Sequence, residues 1–251
     1  MNRTLDLDQA VVIPWFFAGV GAMLVVLVLL MLGERSQFAL FRFSRGLDAV
    51  VVFAGKAAAW LFLPLILIIL LDVVTRRAEG EVWSWGVWIQ DALLWVKRGM
   101  EEGADLTSTK LQEMEWHLHT VIFALGFGFA YIANAHVRVD LVRERLKPRA
   151  QQWIELLGAL LFMIPYCGLL FFIFAEYAAN SFDQGEVSSA LTGLSHRWII
   201  KAVLPLGLVV AALSAIAVLI RKLLVLFAGP ELVVRVERFE QRVLVQSSDG
   251  D

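Results

Sequence analysis

Two acids and two histidines stand together near the middle of the chain, at Glu113, Glu115, His117 and His119. Carboxylates and imidazoles are ligands of transition metals, so a metal site is the first chemistry to consider. In a helix, Glu113 stacks with His117 and Glu115 with His119, but the two pairs point to different faces. A carboxylate-bridged di-iron site needs Glu-x-x-His motifs on facing helices, and the sequence offers no second such helix. The set therefore predicts the polar start of a helix, partly buried against a neighbour.

Haem binding is an alternative, because membrane b-type cytochromes place two histidines on facing helices at matching depth. His117 or His119 opens one apolar segment, and His196 precedes another. All three histidines lie at the margin of those segments, where haem would be poorly buried. A haem-b membrane anchor of a redox enzyme is therefore kept as the alternative function.

A second polar group, His136, Arg138 and Asp140, follows the uncharged stretch that begins at Leu118. His136 and Asp140 stack four residues apart if the helix continues through them. The pattern indicates side chains that snorkel to the membrane interface around a local charge pair.

A third group, Arg197, Trp198 and Lys201, opens the last apolar segment. Basic side chains at this end of a segment predict pairing with an acid of this chain or of a partner. The acids available at similar depth are Glu113, Glu115 and Glu176.

The sequence has none of the usual catalytic patterns. It shows no glycine-rich phosphate loop, no Ser-His-Asp set and no zinc-ligand spacing, so enzymatic activity is not expected. The net charge of -2 gives no signal for nucleic-acid binding.

The elements that must position these groups are membrane helices. The chain of 251 residues is 59% hydrophobic and 18% charged, whereas soluble domains are closer to half apolar and a quarter charged. Before the first apolar run, Arg3 is outweighed by Asp6 and Asp8, so the basic region of a signal peptide is missing. No small-residue cleavage pattern follows the run, which therefore predicts a retained helix rather than a signal peptide. The predicted spans are 11–32, 48–71, 117–135, 154–177 and 198–220.

The loops between the spans predict the orientation. Basic residues dominate 33–47 and 136–153, and they also follow the last span directly. Acidic residues dominate 72–116, with nine acids against five bases, and 178–196 has two acids and no Lys or Arg. Because basic loops stay in the cytoplasm, we expect a membrane protein with its N-terminus outside and its C-terminus in the cytoplasm.

The long acidic loop contains a predicted amphipathic helix at about 82–98. Its apolar residues recur at helical spacing, and tryptophans of this kind sit at headgroup depth. It lies in the outer interface or packs on its own bundle. The apolar residues are Trp85, Trp88, Ile89, Ala92, Trp95 and Val96.

Four motifs occur in a fixed order over about 45–222. They are Leu111-Gln-Glu113-Met-Glu115-Trp116-His117-Leu118, His136-Val-Arg138-Val-Asp140, Trp153-Ile-Glu155-Leu-Leu-Gly158 and Arg197-Trp198-Ile-Ile-Lys201-x-x-x-Pro205-x-Gly207. In these motifs the sequence resembles the small membrane subunit of tripartite ATP-independent periplasmic (TRAP) transporters, the DctQ-like family.

The resemblance implies an all-α membrane bundle of four helices with both termini inside. This chain departs from that pattern by an added helix at 11–32, which puts its N-terminus on the periplasmic side of the bacterial inner membrane that the resemblance implies. The role of this helix stays open between covering the outer edge of the complex and contacting the large subunit. The expected regions are 1–44 for the extra helix and linker, 45–222 for the four-helix domain and 223–251 for a cytoplasmic tail.

The resemblance also implies the partners. A DctM-like large subunit would carry the moving transport domain and the sodium sites, and a DctP-like periplasmic protein would deliver an organic acid. This chain would then be a scaffold without a cofactor of its own. Its candidate structural and partner-contact residues are Glu113, Glu115, Trp116, His117, His136, Arg138, Asp140, Arg197, Trp198 and Lys201.

Overall fold

The structure, a computed structural model, describes residues 9–80, 86–135 and 145–248. These parts of the chain form helices without a strand, which confirms the predicted all-α membrane bundle. The helices are α1 Gln9–Leu30, α2 Glu34–Trp60, α3 Phe62–Gly80, α4 Val87–Ala104, α5 Ser108–Ile132, α6 Pro148–Gly158, a π-helical turn Ala159–Met163, α7 Ile164–Asp183, α8 Trp198–Phe227 and α9 Pro230–Ser248.

Four helical stretches of the described chain are long and apolar enough to cross a membrane: Ile13–Leu30, Glu34–Glu79, Pro148–Asp183 and Trp198–Phe227. They correspond to four of the five predicted spans: three of these lie wholly within them, and the first, 11–32, extends two residues beyond Ile13–Leu30 at each end. The remaining span, 117–135, falls mainly on α5 and is not among the four. The apolar part of α5, from Leu118 to Ile132, rises only about 22 Å, against about 30 Å of hydrocarbon.

Two prolines explain why the longest stretches are interrupted. Pro64 has no N–H to donate to the carbonyl four residues earlier, and the chain turns at Leu61 between α2 and α3. Pro165 stands just after the π-helical turn Ala159–Met163, which takes up the same missing bond between α6 and α7. The residues of both breaks are apolar.

Helix α8 is the centre of the bundle and packs against α2, α5, α6, α7 and α9. Its buried face is built from small side chains. Ala211, Ser214, Ala215 and Ala217 are each fully or almost fully buried. Small residues let helix backbones approach closely, which matters because lipid gives helices no hydrophobic reason to associate.

Glycines mark the closest approaches. A Cβ on Gly128 of α5 would lie 2.9 Å from the Val210 carbonyl oxygen of α8, and one on Gly207 would lie 2.8 Å from the Ala124 carbonyl oxygen. Gly55 of α2 likewise faces the Phe129 side chain of α5. The sequence predicts close packing at five glycines, and it is right for Gly128, Gly168 and Gly207. It is wrong for the other two, Gly126 and Gly158, which face open space.

Helix α1 is the most loosely attached element. It touches only α2 and α7 appreciably. The Phe16 ring lies directly over Gly168 of α7 and forms an edge-on contact with Phe172 at 6.4 Å between ring centroids.

Helix α4 crosses the end of α3. Gln90 donates to the Ala78 carbonyl at 2.6 Å, and Lys97 pairs with Glu79 at 2.5 Å. Because two positions seven residues apart on α4 reach consecutive residues of α3, the helices cross and do not run side by side. The polar stripe of α4 therefore faces the bundle. The side chains of Trp88 and Trp95 are each 75% exposed, and Trp85 lies outside the described residues.

Candidate functional site

The segment that joins α7 to α8, residues 184–197, folds over the start of α5, and we call it the loop-end segment. Glu113 of α5 holds it in place. Its carboxylate accepts hydrogen bonds from the Ser188 hydroxyl and from the Leu194 backbone N–H, the second at 2.5 Å. Thr107 adds a hydrogen bond to the Thr192 carbonyl at 3.3 Å.

Gly193 is required where the loop-end segment meets Glu113. A Cβ at this position would lie 2.7 Å from Oε1 of Glu113 and even closer to the Ser188 side chain. Any larger residue would therefore push the segment away from the carboxylate that holds it.

A second carboxylate, Glu186, ties the same segment to the helices on either side. It accepts a hydrogen bond from Ser181 of α7 at 2.7 Å and forms an ion pair with Lys201 of α8. The Lys201 ammonium also lies over the Tyr177 ring, 3.8 Å from its centroid. The Arg197 N–H donates to the Glu186 backbone carbonyl at 3.2 Å.

The surroundings of both carboxylates lower the pKa and so favour the ionised form. For Glu113, burial acts to raise the pKa, but the hydrogen bonds from Ser188 and Leu194 and the charge of Arg197 outweigh it, and the pKa is lowered. For Glu186, the hydrogen bonds from Lys201 and Ser181 lower the pKa. The fold of the loop-end segment therefore depends on two negative charges.

The structure gives Lys201 a partner other than the three acids expected from the sequence. That partner is Glu186, and no ion pair in the described chain joins Lys201 or Arg197 to Glu113, Glu115 or Glu176. Arg197 acts on Glu113 by charge only. Trp198 packs edge-on against Phe182, with ring centroids 5.2 Å apart, and so helps to seat the start of α8.

The histidines do not form a buried pair. His117 is half-buried, and its Nδ1 donates to the Glu113 backbone carbonyl at 2.5 Å. His119 and His196 are exposed, as is Trp116, whose side chain is 72% exposed, while Glu115 is half-buried. Within the described residues, no group of three or more His, Cys, Asp or Glu is placed to hold a metal ion.

The predicted group His136, Arg138 and Asp140 lies outside the described residues.

At the opposite end of the bundle, which we call the tail end, α2, α6, α8 and α9 meet in a chain of alternating charges. Arg221 of α8 pairs with Asp48 of α2 and with Glu240 of α9, the latter at 3.2 Å. Lys222 pairs with Glu155 of α6 at 2.8 Å and with Glu240 at 3.1 Å. The five residues join four helices, and we call them the tail-end network.

The tail-end network is buried. The side chains of Asp48 and Arg221 are each 4% exposed, and Lys222 is 9% exposed. Buried charges are tolerated only when they are paired, so each helix in the network is held in register by its partner. Phe239 of α9 covers the network, with Arg45 and Arg221 at 5.3 and 6.0 Å from its ring centroid.

Sequence reasoning did not find the tail-end network, because Arg221 and Lys222 were placed after the last span. Helix α8 in fact continues to Phe227, so both residues lie within it and face neighbouring helices. The available signal was the run of apolar residues that follows Lys222, from Leu223 to Phe227, which carries the helical pattern onward.

The polar contacts at both ends fix helices to one another. Residues 104–225, which include α5 to α8 up to Val225, match the family described as "Tripartite ATP-independent periplasmic transporters, DctQ component". Neither a curated protein nor a solved structure matches the chain.

Proposed function

We propose that this chain is a scaffold that braces the large subunit of a TRAP transporter and does not itself carry the transport site. The premise is that residues 104–225 make the chain a member of the DctQ family. The family match is the observation that carries the proposal. It covers the helices that form the centre of the bundle, and the family is a transporter component.

The contacts of α8 support a bracing role. This helix is tied to the loop-end segment through Lys201 and to three other helices through Arg221 and Lys222. A helix fixed at both ends resists the displacement that a moving partner domain would impose on it.

The breaks in the helices also favour a scaffold over a carrier. Ion and substrate sites of secondary transporters use broken helices whose freed backbone groups stand beside polar ligands at mid-membrane depth. Here the turn at Leu61 and the π-helical turn Ala159–Met163 contain only apolar residues. We therefore assign the sodium sites and the organic-acid site to the DctM-like subunit, and substrate delivery to a DctP-like periplasmic protein.

The charges at the two ends support the proposed orientation. Arg42, Arg45 and Arg149 lie at the tail end with the basic residues of α9, so we place that end in the cytoplasm. The loop-end segment and α4 then face the periplasm. Single cysteines at Thr192 and at Gln241, in a chain whose Cys167 is replaced by serine, test this with an impermeant maleimide. If Gln241→Cys were labelled in intact spheroplasts and Thr192→Cys were protected, the proposed orientation would be wrong.

Co-purification is the test of the scaffold role. An affinity tag on this chain, expressed in its native membrane, should retain a large multi-span partner in mild detergent. Vesicles with both subunits and the binding protein should then take up an organic acid when a sodium gradient is imposed, and vesicles with this chain alone should not. A stable, partner-free chain, or uptake by the chain alone, would reject the proposal.

The haem alternative stays a prediction, and no feature of the described chain favours it. A Soret band in the absorption spectrum of the purified protein would support it.

A further inference from the structure

An open groove of about 480 Å³ runs between α2 and α9 at the tail end. Helix α2 contributes one continuous stripe to it, and helix α9 contributes one wall through Phe239 and Val243. The stripe consists of Arg42, Arg45, Gly46, Ala49 and Val52, and Asp48 of the same helix also lines the groove.

The groove is polar at one end and apolar at the other. Arg42 and Arg45 are exposed, and no carboxylate of the described chain forms an ion pair with either. The carboxylates nearest in the fold are already neutralised, since Asp48 pairs with Arg221 and Glu240 pairs with Arg221 and Lys222. The arginine end therefore carries net positive charge.

Beyond the arginines the groove becomes a shallow apolar trough. A Cβ on Gly46 would meet nothing within 4 Å, so the floor is open at this point. Ala49 and Val52 continue the floor, and Phe53, 75% exposed, extends the apolar surface along the helix.

The position of the groove along α2 matches the profile of a bilayer. The arginines stand one to two turns before the predicted start of the apolar span at residue 48, at headgroup depth, and the trough lies within the apolar span. Lys56, also exposed, lies on the same stripe, and its side chain tilts toward the N-terminus of α2 and thus toward the arginines.

From this juxtaposition we propose that the groove between α2 and α9 binds one anionic phospholipid, with its phosphate on Arg42 and Arg45 and an acyl chain along Gly46, Ala49 and Val52. Basic pockets beside membrane helices bind anionic headgroups in this way. The lipid connects α9 to the membrane surface. The inference depends on the membrane-spanning fold and goes beyond the scaffold role.

Native mass spectrometry of the full chain, or of its complex if a partner co-purifies, tests the proposal. Phosphatidylglycerol and phosphatidylcholine with identical acyl chains are added in turn, together with glycerol phosphate as a headgroup without chains. We expect phosphatidylglycerol to be retained in preference to phosphatidylcholine, and glycerol phosphate not to be retained.

Three variants separate the parts of the site. Replacement of both arginines, Arg42→Gln with Arg45→Gln, should lower phosphatidylglycerol retention on the order of tenfold. Gly46→Leu keeps the charge and fills the trough, so it should lower retention as well. Arg238→Gln removes one exposed charge from α9 outside the groove and should leave retention unchanged.

Several results would overturn the proposal. Equal retention of the two lipids would show that the arginines do not select the headgroup. Retention of glycerol phosphate would show that binding does not need the trough. If Arg238→Gln lost as much phosphatidylglycerol as the double arginine variant, the lipid would be held by general attraction to a basic surface and not by the groove. Loss of the lipid upon binding of the large subunit would assign the groove to that subunit.

Discussion

The close packing of α5 on α8 gives the sharpest prediction, because one helix supplies both the test and its control. Gly128 faces α8, where an added Cβ would lie 2.9 Å from the Val210 carbonyl oxygen. Gly126, two residues earlier, faces open space. Gly128→Ala should therefore destabilise the bundle, and Gly126→Ala should not.

The expected loss of stability in Gly128→Ala follows from the distance between the added Cβ and the Val210 carbonyl oxygen. A carbon and a carbonyl oxygen pack at roughly 3.4 Å or more, so the two backbones must separate by about 0.5 Å. A gap of that size forfeits about a quarter of each dispersion contact across the helix crossing, and the total loss is about 1–2 kcal/mol. For a chain of this size we expect a melting temperature lower by about 2–8 °C. Gly126→Ala should be neutral or gain a few tenths of a kcal/mol, because alanine favours the helix.

The assay is thermal unfolding in mild detergent, followed by tryptophan fluorescence, with the three proteins compared at one protein concentration. Gly207→Ala is a second test from the other helix, since its Cβ would lie 2.8 Å from the Ala124 carbonyl oxygen. One separation of the helices relieves both clashes, so the double variant should lose less than the sum of the single variants. Equal melting temperatures for Gly128→Ala and Gly126→Ala would refute the reasoning.

Three further predictions concern the charges. Asp48→Ala should lower the free energy of unfolding by about 3 kcal/mol. This is the low end of the range for a broken buried ion pair, because Arg221 keeps a second carboxylate. Adding Arg221→Leu to this variant should recover part of the loss in melting temperature. Glu113 has a lowered pKa in the folded chain, so its contribution exists above its ordinary pKa and is lost as the pH falls below about 4.5. Protection factors of the loop-end amides, which correct hydrogen exchange for its intrinsic pH dependence, should therefore fall in acid, and Glu113→Gln should show low protection at neutral pH already; a flat profile in the unmodified chain would contradict this. Arg197→Glu should lower the yield of the complex and leave the substrate affinity of the assembled transporter unchanged, with Arg98→Glu on the exposed side of α4 as the matched control.

The sequence predicted the parts of the fold that depend on local patterns. Uninterrupted apolar runs revealed four spans, because a run of about twenty such residues has no other stable environment. The charges of Arg221 and Lys222 predict that the last span ends at residue 220, but α8 continues to Phe227. Charged residues end a span only when they face lipid, and these two face carboxylates of other helices.

The sequence identified polar residues that form the loop-end site, but it did not identify which of them form ion pairs. Glu113 and Lys201 both form polar contacts there, but Lys201 pairs with Glu186, an acid in the connecting segment. Spacing along a helix shows which residues share a face, and it carries no information on how a loop folds back. Gly193 illustrates the point, since only the folded segment reveals that it touches Glu113.

The two ends and the centre of α8 solve one problem in different ways. In lipid, apolar burial gives helices no reason to associate, so the bundle depends on close contacts and on polar links. The centre of α8 uses Gly207 and small buried residues, which hold the backbone of α5 close. The ends use ion pairs, in which Lys201 and Arg221 are neutralised by carboxylates of neighbouring elements. Because the links lie at opposite ends, loosening either end leaves α8 free to tilt about the other. A scaffold that must resist a moving partner needs both, so variants at the loop end and at the tail end should each reduce transport rate and leave the partner's affinity for substrate unchanged.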